Sequence, residues 1–463
     1  MARGRYYALV IILTGLLLCL YNGFQQTQWN GGDSEESHLK VVRDVSRLFN
    51  THVLDVQRAY ISGRLAPFGT RFSNCPALFH RNTTAKFRYE AKSWTPDDVL
   101  SDEEMVDLTR DCARFKKTFW FPTFPRSVAE AKYPLAYALL LHRYPDQVVR
   151  LLQAIYWPQN IYCIHIDSDT NDDVQRSFRQ IADCFDNVFV ARKQTKVTWA
   201  GLNCLEELHT SRVQWRYVQI LAGEDYPLRT NAEMVEIFHI LNGSNDINLQ
   251  LMRDRRIIYN QLNTSEINPP PPDILNLYKG SFQSSLSREF VSFMLLSPES
   301  QQLLDYISRT NVPDETFWPT LIHNPQLGTP GAFPGSCLRF YSATHKYKRY
   351  VSRYRVSLSH PGCLSKHFVA ESCVFGVNDL PDLSSRPELL AHKLYNIYQP
   401  GALRCLAERL FNATYLNFET SFNPEYYKLL PGVRYQNTQD KSTFMCLGEL
   451  ETNPKWYDNH IPT

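Results

Sequence analysis

The sequence predicts an α/β protein built on a doubly wound, mostly parallel sheet. Residues 135–141 and 161–166 are short, almost continuous apolar runs, the pattern of strands buried on both faces of a parallel sheet. Between them Pro145 opens a stretch with apolar residues at helical spacing, which ends at Trp157-Pro158. Strands that alternate with helices through short turns indicate parallel βαβ units.

The same alternation predicts further elements along the chain. In order, they are a helix at 146–156, a strand at 161–167, a helix at 173–184, a strand at 188–191, a helix at 202–213, a strand at 217–222 and a helix at 232–241. A short helix is also expected at about 41–48. His142 follows the first strand and Asp167 the second. Ligands of open α/β sheets bind beyond the carboxyl ends of the strands, so a ligand site is predicted there.

The N-terminus predicts a membrane anchor. Residues 6–21 are uncharged, and Arg3 and Arg5 precede them. The run is a little short for a transmembrane helix, which needs about 17–25 residues, and a cleaved signal peptide is the alternative. The missing Ala-x-Ala-like cleavage site favours an uncleaved signal anchor at 6–23. The positive-inside rule then predicts a cytoplasmic tail at 1–5 and a luminal stem and stem-proximal segment at 24–110.

Composition agrees with a luminal protein. The formal net charge of +2 gives no electrostatic reason to expect nucleic acid as a partner. Of eleven cysteines, Cys19 lies in the predicted anchor, and the other ten suit disulfide bonds better than zinc, because the chain has no CxxC pair. The Asn-x-Ser/Thr sequons predict N-glycosylation at Asn82, Asn242, Asn263 and Asn412.

Several blocks in order resemble one enzyme family. YPLAYALLLHRY, RLLQAIYWPQNIYCIHID, ADCFDNVFVA, LNC and GEDYPLRTNAEMV are similar to blocks of the core-2/I-branching β-1,6-N-acetylglucosaminyltransferases, glycosyltransferase family 14, which also includes peptide xylosyltransferases. The resemblance implies a GT-A-like catalytic domain at 111–415, with a C-terminal extension at 416–463. It also implies a single-pass type II protein of the Golgi membrane, with disulfide bonds Cys75–Cys405, Cys112–Cys184, Cys163–Cys204 and Cys363–Cys373, which leaves Cys337 and Cys446 to pair with each other.

Glu315 is the predicted catalytic base. It follows Pro313 and Asp314, and an apolar pattern resumes at Phe317, which predicts Glu315 in the first turn of a helix. Sugar transfer with inversion needs a carboxylate that removes the proton of the acceptor hydroxyl as its oxygen attacks the anomeric carbon. The residues alone favour a helix-dipole role. The block VPDETFW, however, resembles the family block SPDEFLW, which implies catalysis by Glu315.

The predicted donor site consists of His142, Asp167 and Lys393. The resemblance implies that His142 and Asp167 contact the uridine and that Lys393, in a block similar to the family's ANK, holds the diphosphate. It also implies catalysis without a cofactor. Asp167-Ser168-Asp169 forms a DxD pattern, which makes Asp169 a weak alternative metal ligand, although such an acidic run is usually a turn with a helix cap.

One donor-site position departs from the family pattern. The family carries an arginine three residues before the cysteine of CVFG, where this chain has Ala370, and Glu371 follows with the wrong charge for a diphosphate. Lys366, His367 or Arg386 could substitute, or the DxD could recruit a metal. The departure also allows a different donor sugar.

The predicted acceptor site contains Asp225, Glu233 and Arg256. Carboxylates suit sugar hydroxyls because they accept two charge-assisted hydrogen bonds, and Arg256 lies in a basic block that loosely resembles one at the family's acceptor site. Without the resemblance, Asp225 and Glu233 are more typical of a turn or a helix start. Gln283 replaces a family aromatic residue that stacks on a sugar, so the acceptor stays open.

These features predict an inverting glycosyltransferase that moves N-acetylglucosamine from its UDP form to a galactosyl or N-acetylgalactosaminyl O-glycan of mucin type. Transfer of glucose to a mucin-type core, or of xylose to a peptide serine, is the alternative within the same fold. The alternative that is not an enzyme is a catalytically inactive paralogue that binds glycans in the lumen. The sequence leaves open whether the chain forms a homodimer through its stem.

Overall fold

The computed structural model describes residues 35–63, 65, 74–193, 197–248, 250–251, 276–308, 313–337, 350–359 and 361–446. The chain divides into two compact units, Met1–Thr51 and His52–Thr463. The predicted anchor at 6–23, the sequon at Asn263 and the basic block with Arg256 lie outside the described residues. Within the part that the structure describes, no helix has the length and apolar character that spanning a bilayer requires.

The central sheet has five strands in the order β3-β2-β1-β4-β8. β1 to β4 are parallel, and β8 pairs with β4 as an antiparallel edge strand. The strands of the described residues are β1 Leu135–Leu141, β2 Ile161–Ile166, β3 Val188–Val190, β4 Tyr217–Ala222, β5 Asp225–Pro227, β6 Gln250–Leu251, β7 Tyr278–Lys279, β8 Ser285–Ser287, β9 Tyr354–Arg355, β10 Phe368–Val369, β11 Ser372–Cys373 and β12 Leu390–His392. The predicted α/β class with a mostly parallel sheet is confirmed.

The predicted helices between 145 and 241 are all present, with shifted ends. The largest shift is in the helix before β4, which begins at Val197 rather than at Leu202. The short helix expected at 41–48 is part of a longer one. The α-helices of the described residues are α1 Glu35–Ile61, α2 Cys75–Leu78, α3 Ala85–Ser93, α4 Asp102–Thr109, α5 Cys112–Thr118, α6 Val128–Lys132, α7 Pro145–Ile155, α8 Asp172–Asp183, α9 Val197–His209, α10 Asn231–Leu241, α11 Arg288–Leu296, α12 Pro298–Ile307, α13 Phe317–Ile322, α14 Leu380–Ser385, α15 Pro400–Tyr415, α16 Pro424–Lys428 and α17 Pro431–Asn437.

Helices cover both faces of the sheet. Alternate residues of β1 point to opposite faces, so Tyr137 and Leu139 pack in one core with α7 and α8, whereas Ala138 and Leu140 pack in another with α9 and α11. The chain moves outward from β1 to β3 and then returns to place β4 on the other side of β1. The sheet therefore reverses its winding between β1 and β4, and the carboxyl ends of these two strands flank the crevice where ligands of such sheets bind.

A smaller sheet, β5-β12-β9, follows β4 and carries the C-terminal part of the predicted site. β12 pairs antiparallel with β5 and parallel with β9, with His392 opposite both Asp225 and Arg355. The described residues contain five disulfide bonds, namely the four that the resemblance implied together with Cys337–Cys446.

The described residues after α15, which extend to 446, pack onto the rest of the larger unit. Tyr427 and Val433 are buried in the same core as β1 and α10, and the Tyr427 hydroxyl accepts a hydrogen bond from Arg229 Nε at 3.2 Å. The larger compact unit, His52–Thr463, thus contains the predicted C-terminal extension as well as most of the predicted stem-proximal segment.

Candidate active site

Three segments meet at the carboxyl end of the central sheet: the loop after β1, the loop after β4 and the residues that follow β12. The buried Gln147 side chain of α7 donates one hydrogen bond to the Gly223 carbonyl at 3.0 Å and another to the Leu394 carbonyl at 2.9 Å. The Leu394 N–H in turn donates to the Glu224 carbonyl at 3.0 Å. These bonds hold Glu224 and Lys393 beside the end of β1.

Glu224 organises the loop that follows β1. Its carboxylate is only 7% exposed, and Oε1 accepts from Arg143 Nη2 at 3.0 Å and from Nε at 3.2 Å. Arg143 Nη2 also donates to the Tyr395 hydroxyl at 2.9 Å. His142 Nε2 lies 3.9 Å from the same carboxylate oxygen. Glu224 therefore forms its main ion pair with Arg143, and His142 lies farther from the carboxylate.

The three residues predicted for the donor come together here. Partial burial lowers the pKa of His142. The charges of Glu224 and Asp167 raise this pKa, and the charge of Lys393 lowers it, so the four side chains share one electrostatic environment. Lys393 is 7% exposed. Burial lowers the pKa of its ammonium, while the charge of Glu224 raises it. A lysine in this setting suits an anionic ligand, because a bound negative charge would compensate its own.

Asp167 and Asp169 form a turn at the end of β2. Asp167 Oδ1 accepts a hydrogen bond from the Asp169 N–H at 2.9 Å, and the Asp169 carboxylate accepts one from the Ser168 hydroxyl at 3.2 Å. Among the described residues no group of three or more His, Cys, Asp or Glu side chains could hold a metal ion. The local contacts match the acidic-turn interpretation of the DxD.

Glu315 lies in a 3-10 turn, Pro313–Glu315, directly before α13 rather than in the first turn of that helix. Its Oε2 lies 3.1 Å from Lys279 Nζ, and both side chains are partly exposed. The Glu315 carbonyl accepts a hydrogen bond from the Gly280 N–H at 2.7 Å. A Cβ at position 280 would overlap the Asn248 carbonyl, so glycine permits this close approach. The backbone is therefore fixed while the carboxylate remains accessible.

Asp314, next to Glu315, is buried and polar. The residue is 6% exposed, and its Oδ1 has no hydrogen-bond partner among the described residues. Burial, together with the neighbouring charge of Glu315, raises the pKa of Asp314 to about 7. Of the two adjacent carboxyl groups, the exposed one is therefore better suited to accept a proton from a substrate.

The two carboxylates predicted for the acceptor have both oxygens occupied within the protein. Asp225 is fully buried; Oδ1 contacts His392 Nδ1 at 2.8 Å, and Oδ2 accepts from the Ala222 N–H at 2.6 Å. Glu233 forms a capping box with Thr230 at the start of α10, and its other oxygen accepts a hydrogen bond from Thr420. Asp225 thus orients His392 next to Lys393. Glu233 caps α10, as the helix-start interpretation of this residue expects.

The positions that depart from the family pattern are connected to two arginines that the sequence analysis missed. Gln283 is buried, and its Oε1 accepts from Arg353 Nη1 at 2.6 Å. Ala370 and Glu371 form the two-residue turn between β10 and β11, and Ser372 Oγ, just beyond that turn, accepts from Arg355 Nε at 2.6 Å. No sequence pattern marked Arg353 or Arg355, because Arg355 lies on a strand of only two residues and Arg353 directly precedes that strand.

The proposed substitutes for the missing arginine are placed differently. Arg386 forms a two-point ion pair with the buried Glu388, at 2.7 and 3.0 Å, and lies over the Tyr354 ring, so its charge is already paired within the protein. His367 stacks on Tyr398 with ring centroids 4.4 Å apart. Lys366 is exposed on the same loop.

Three of the four sequons lie within the described residues. Asn82 and Asn242 are exposed, whereas Asn412 is 7% exposed within α15, and its Oδ1 accepts from the Tyr60 hydroxyl at 3.4 Å. Glycan attachment suits the first two positions. At Asn412 it would require α15 to repack.

Together these residues present an accessible carboxylate, Glu315, near a group of cations at the end of the sheet. The charges of Glu315 and Arg353 both influence the pKa of Arg355, and Arg355 in turn influences that of Lys393, which links the base to the predicted donor site. Such an arrangement can take a proton from one substrate and stabilise negative charge on another.

Comparison with known proteins points to one family. Residues 135–381 match the family model described as Core-2/I-Branching enzyme. The "beta-1,3-galactosyl-O-glycosyl-glycoprotein beta-1,6-N-acetylglucosaminyltransferase 3" of Ovis aries is 33% identical over 333 residues, which are 67% of this chain and 75% of the relative. The Homo sapiens protein of the same name is 32% identical over 336 residues, 68% of this chain and 76% of the relative. The corresponding "beta-1,6-N-acetylglucosaminyltransferase" of Bovine herpesvirus 4 is 32% identical over 333 residues, again 67% and 75%.

Proposed function

This chain belongs to the core-2/I-branching enzyme family and is a glycosyltransferase, and we propose that it transfers N-acetylglucosamine, with inversion, from UDP-N-acetylglucosamine to an O-glycan. The acceptor in this proposal is a galactosyl or N-acetylgalactosaminyl residue of a mucin-type glycan, and the product is a branched or extended core. The names of the relatives, which describe β-1,6-N-acetylglucosamine transfer to β-1,3-galactosyl-O-glycosyl-glycoproteins, support this choice.

The observation that carries the proposal is the setting of Glu315. Its carboxylate is accessible, lies 3.1 Å from the Lys279 ammonium and stands on a backbone fixed through Gly280. In the proposed reaction Glu315 accepts the proton of the acceptor hydroxyl while that oxygen forms a bond to the anomeric carbon. The bond between the anomeric carbon and the UDP oxygen breaks on the opposite face, which inverts the configuration. Lys279, 3.1 Å away, keeps the Glu315 carboxylate oriented before the substrate binds.

The departing diphosphate needs positive charge rather than a proton. Lys393 supplies it in this proposal, and His142 and Asp167 contact the uridine at the ends of β1 and β2. Asp225 takes part indirectly, because its contact with His392 Nδ1 at 2.8 Å fixes the residue before Lys393. Positioned charges of this kind act in the transition state without having to reorganise. The type II orientation stays a prediction of the N-terminal sequence, and the Golgi location stays a prediction of the family resemblance.

The test uses the purified full-length chain in detergent. UDP-N-acetylglucosamine, UDP-glucose and UDP-xylose are each offered with a mucin-type core disaccharide and with a serine peptide, and the anomeric configuration of the product is read by NMR. β-Linked N-acetylglucosamine on the disaccharide is the expected product. A preference for glucose or xylose would replace the proposed donor, and glycan binding without transfer from any donor would favour the inactive paralogue.

A further inference from the structure

Among the described residues, three cations at or near the predicted donor site, Arg353, Arg355 and Lys393, form no ion pair with an acidic side chain. Arg353 Nη1 donates to the Gln283 side chain, and Arg355 Nε donates to the Ser372 hydroxyl, both at 2.6 Å. Lys393 Nζ lies 6.0 Å from the centre of the Tyr395 ring. Within the described part of the chain, none of these three forms an ion pair with Asp or Glu. Other arginines nearby are paired, as Arg143 is with Glu224 and Arg386 with Glu388.

The three positive charges also repel one another. Partial desolvation and the charge of Arg353 lower the pKa of Arg355, although Glu371 and Glu315 act in the opposite direction. Burial likewise lowers the pKa of Lys393, and Arg143 and Arg355 lower it further, although Glu224 and Asp225 act in the opposite direction. Arg353 Nε is buried without a hydrogen-bond partner among the described residues. Cations that lie close together and have neutral hydrogen-bond partners favour binding of an anion. The anion offsets their mutual repulsion and accepts hydrogen bonds from donors that otherwise lack a partner.

The register of the small sheet brings Arg355 next to Lys393. β9 runs parallel to β12, and Arg355 is opposite His392. Since side chains alternate along a strand, Arg355 lies on the face of β9 opposite to Tyr354, which packs into the core. The Lys393 N–H donates to the Cys373 carbonyl at 3.3 Å, and Arg355 is bonded to Ser372. β11 thus anchors both cations.

The same contacts explain how the chain accommodates Ala370. Ala370 and Glu371 have φ angles of 46° and 60°, so they form a tight turn between β10 and β11. The Arg355 guanidinium reaches Ser372, directly beyond this turn, from the neighbouring strand. A positive charge is therefore present beside position 370, although it comes from β9.

We propose that Arg355 contacts the leaving diphosphate together with Lys393, in place of the arginine that is absent at position 370. The inference rests on the proposed function, since it names a further residue for the UDP part of the same substrate. A guanidinium has parallel N–H donors that match two phosphate oxygens, whereas a lysine provides a single charge. Arg353, held by Gln283, adds a second positive charge behind Arg355.

The test measures binding of UDP and of uridine to the full-length chain by isothermal titration calorimetry, because uridine lacks the diphosphate. In Arg355→Gln the UDP affinity should fall by about tenfold to hundredfold, the effect of losing a charged hydrogen bond, while uridine affinity stays within about twofold. Arg355→Lys should fall between the wild type and Arg355→Gln. Adding Ala370→Arg to Arg355→Gln should restore UDP affinity at least in part. Arg176→Gln, which removes an exposed arginine of α8, is the matched control and should change neither affinity.

Several results would overturn the inference. Unchanged UDP affinity in Arg355→Gln would exclude a diphosphate contact. If Arg355→Gln leaves the UDP affinity unchanged but raises the KM for the acceptor, Arg355 contacts the acceptor rather than the diphosphate. If the wild type binds no UDP, the proposed function fails with the inference; if it binds UDP and transfers sugar but Arg355→Gln binds UDP equally well, the inference alone fails.

Discussion

Burial of Asp314 beside the proposed base predicts a loss of stability as the pH rises. The folded protein holds this carboxyl at a pKa of about 7, against an ordinary value of 3.8, because burial and the charge of Glu315 both oppose ionisation. Between these two values the folded state keeps a proton that the unfolded chain has already released. The stability associated with Asp314 is therefore fully present below about pH 4 and is lost as the pH rises through about 7.

The magnitude follows from the difference between the two pKa values. At 1.36 kcal/mol per pKa unit, a rise from 3.8 to about 7 corresponds to about 4 kcal/mol of unfolding free energy at alkaline pH. Asp314→Asn has a similar shape and cannot ionise, so it should escape this loss. We expect the stability of Asp314→Asn relative to the wild type to increase by up to about 4 kcal/mol between about pH 4 and pH 8.

Urea unfolding at a series of pH values measures this difference directly. Asp183→Asn, which changes an exposed carboxyl of α8, is the matched control and should show a nearly constant difference from the wild type. A constant difference for Asp314→Asn as well would refute the argument, because it would mean that Asp314 ionises in the folded protein as it does in the unfolded chain.

Three further predictions follow from other contacts of the site. Gly280→Ala should destabilise the protein by about 1–3 kcal/mol and reduce kcat. The new Cβ would overlap the Asn248 carbonyl and approach Pro319 Cγ to 2.8 Å. A variant whose urea midpoint and kcat equal those of the wild type would contradict this prediction. Glu233→Ala should cost about 0.5–2 kcal/mol in urea unfolding through the lost cap of α10 and leave the acceptor KM unchanged, whereas a large rise in that KM would restore its acceptor role. Transfer should survive both EDTA and Asp169→Asn, because Asp167 and Asp169 bond each other in a turn; a loss that manganese reverses would establish a metal site.

The sequence predicts β1, β2 and β4 of the central sheet well because each has six or seven residues, is almost fully buried and is separated from the next by helices. The three-residue edge strand β8 is not among the predicted elements. β1 and β4 are found with the predicted ends, Leu135–Leu141 and Tyr217–Ala222. The two- and three-residue strands β7, β9 and β12 carry no detectable alternation, so the small sheet could not be predicted. Its pairing, rather than any local pattern, places Arg355 beside His392.

The site shows the same division. His142 and Asp167 could be located from sequence because each follows a predicted strand. Lys279 could not be assigned to the site from the sequence, because its role depends on its contact with Glu315. The two residues are distant in the sequence, but their charged groups lie 3.1 Å apart. For Glu233 the spacing from Thr230 matches the capping box seen in the structure, and its acceptor role stays a prediction. A carboxylate's role depends on what already occupies its oxygens, which spacing alone does not reveal.

The most direct test of the central claim is the kcat of Glu315→Gln with the preferred UDP-sugar and acceptor, beside Glu299→Gln as the control on the exposed start of α12. Loss of the general base should lower kcat by about 10²- to 10⁴-fold while UDP affinity stays close to that of the wild type. Glu299→Gln should match the wild type in both. A Glu315→Gln variant that retains most of its kcat would contradict the account, because the acceptor proton would then have to leave by another route.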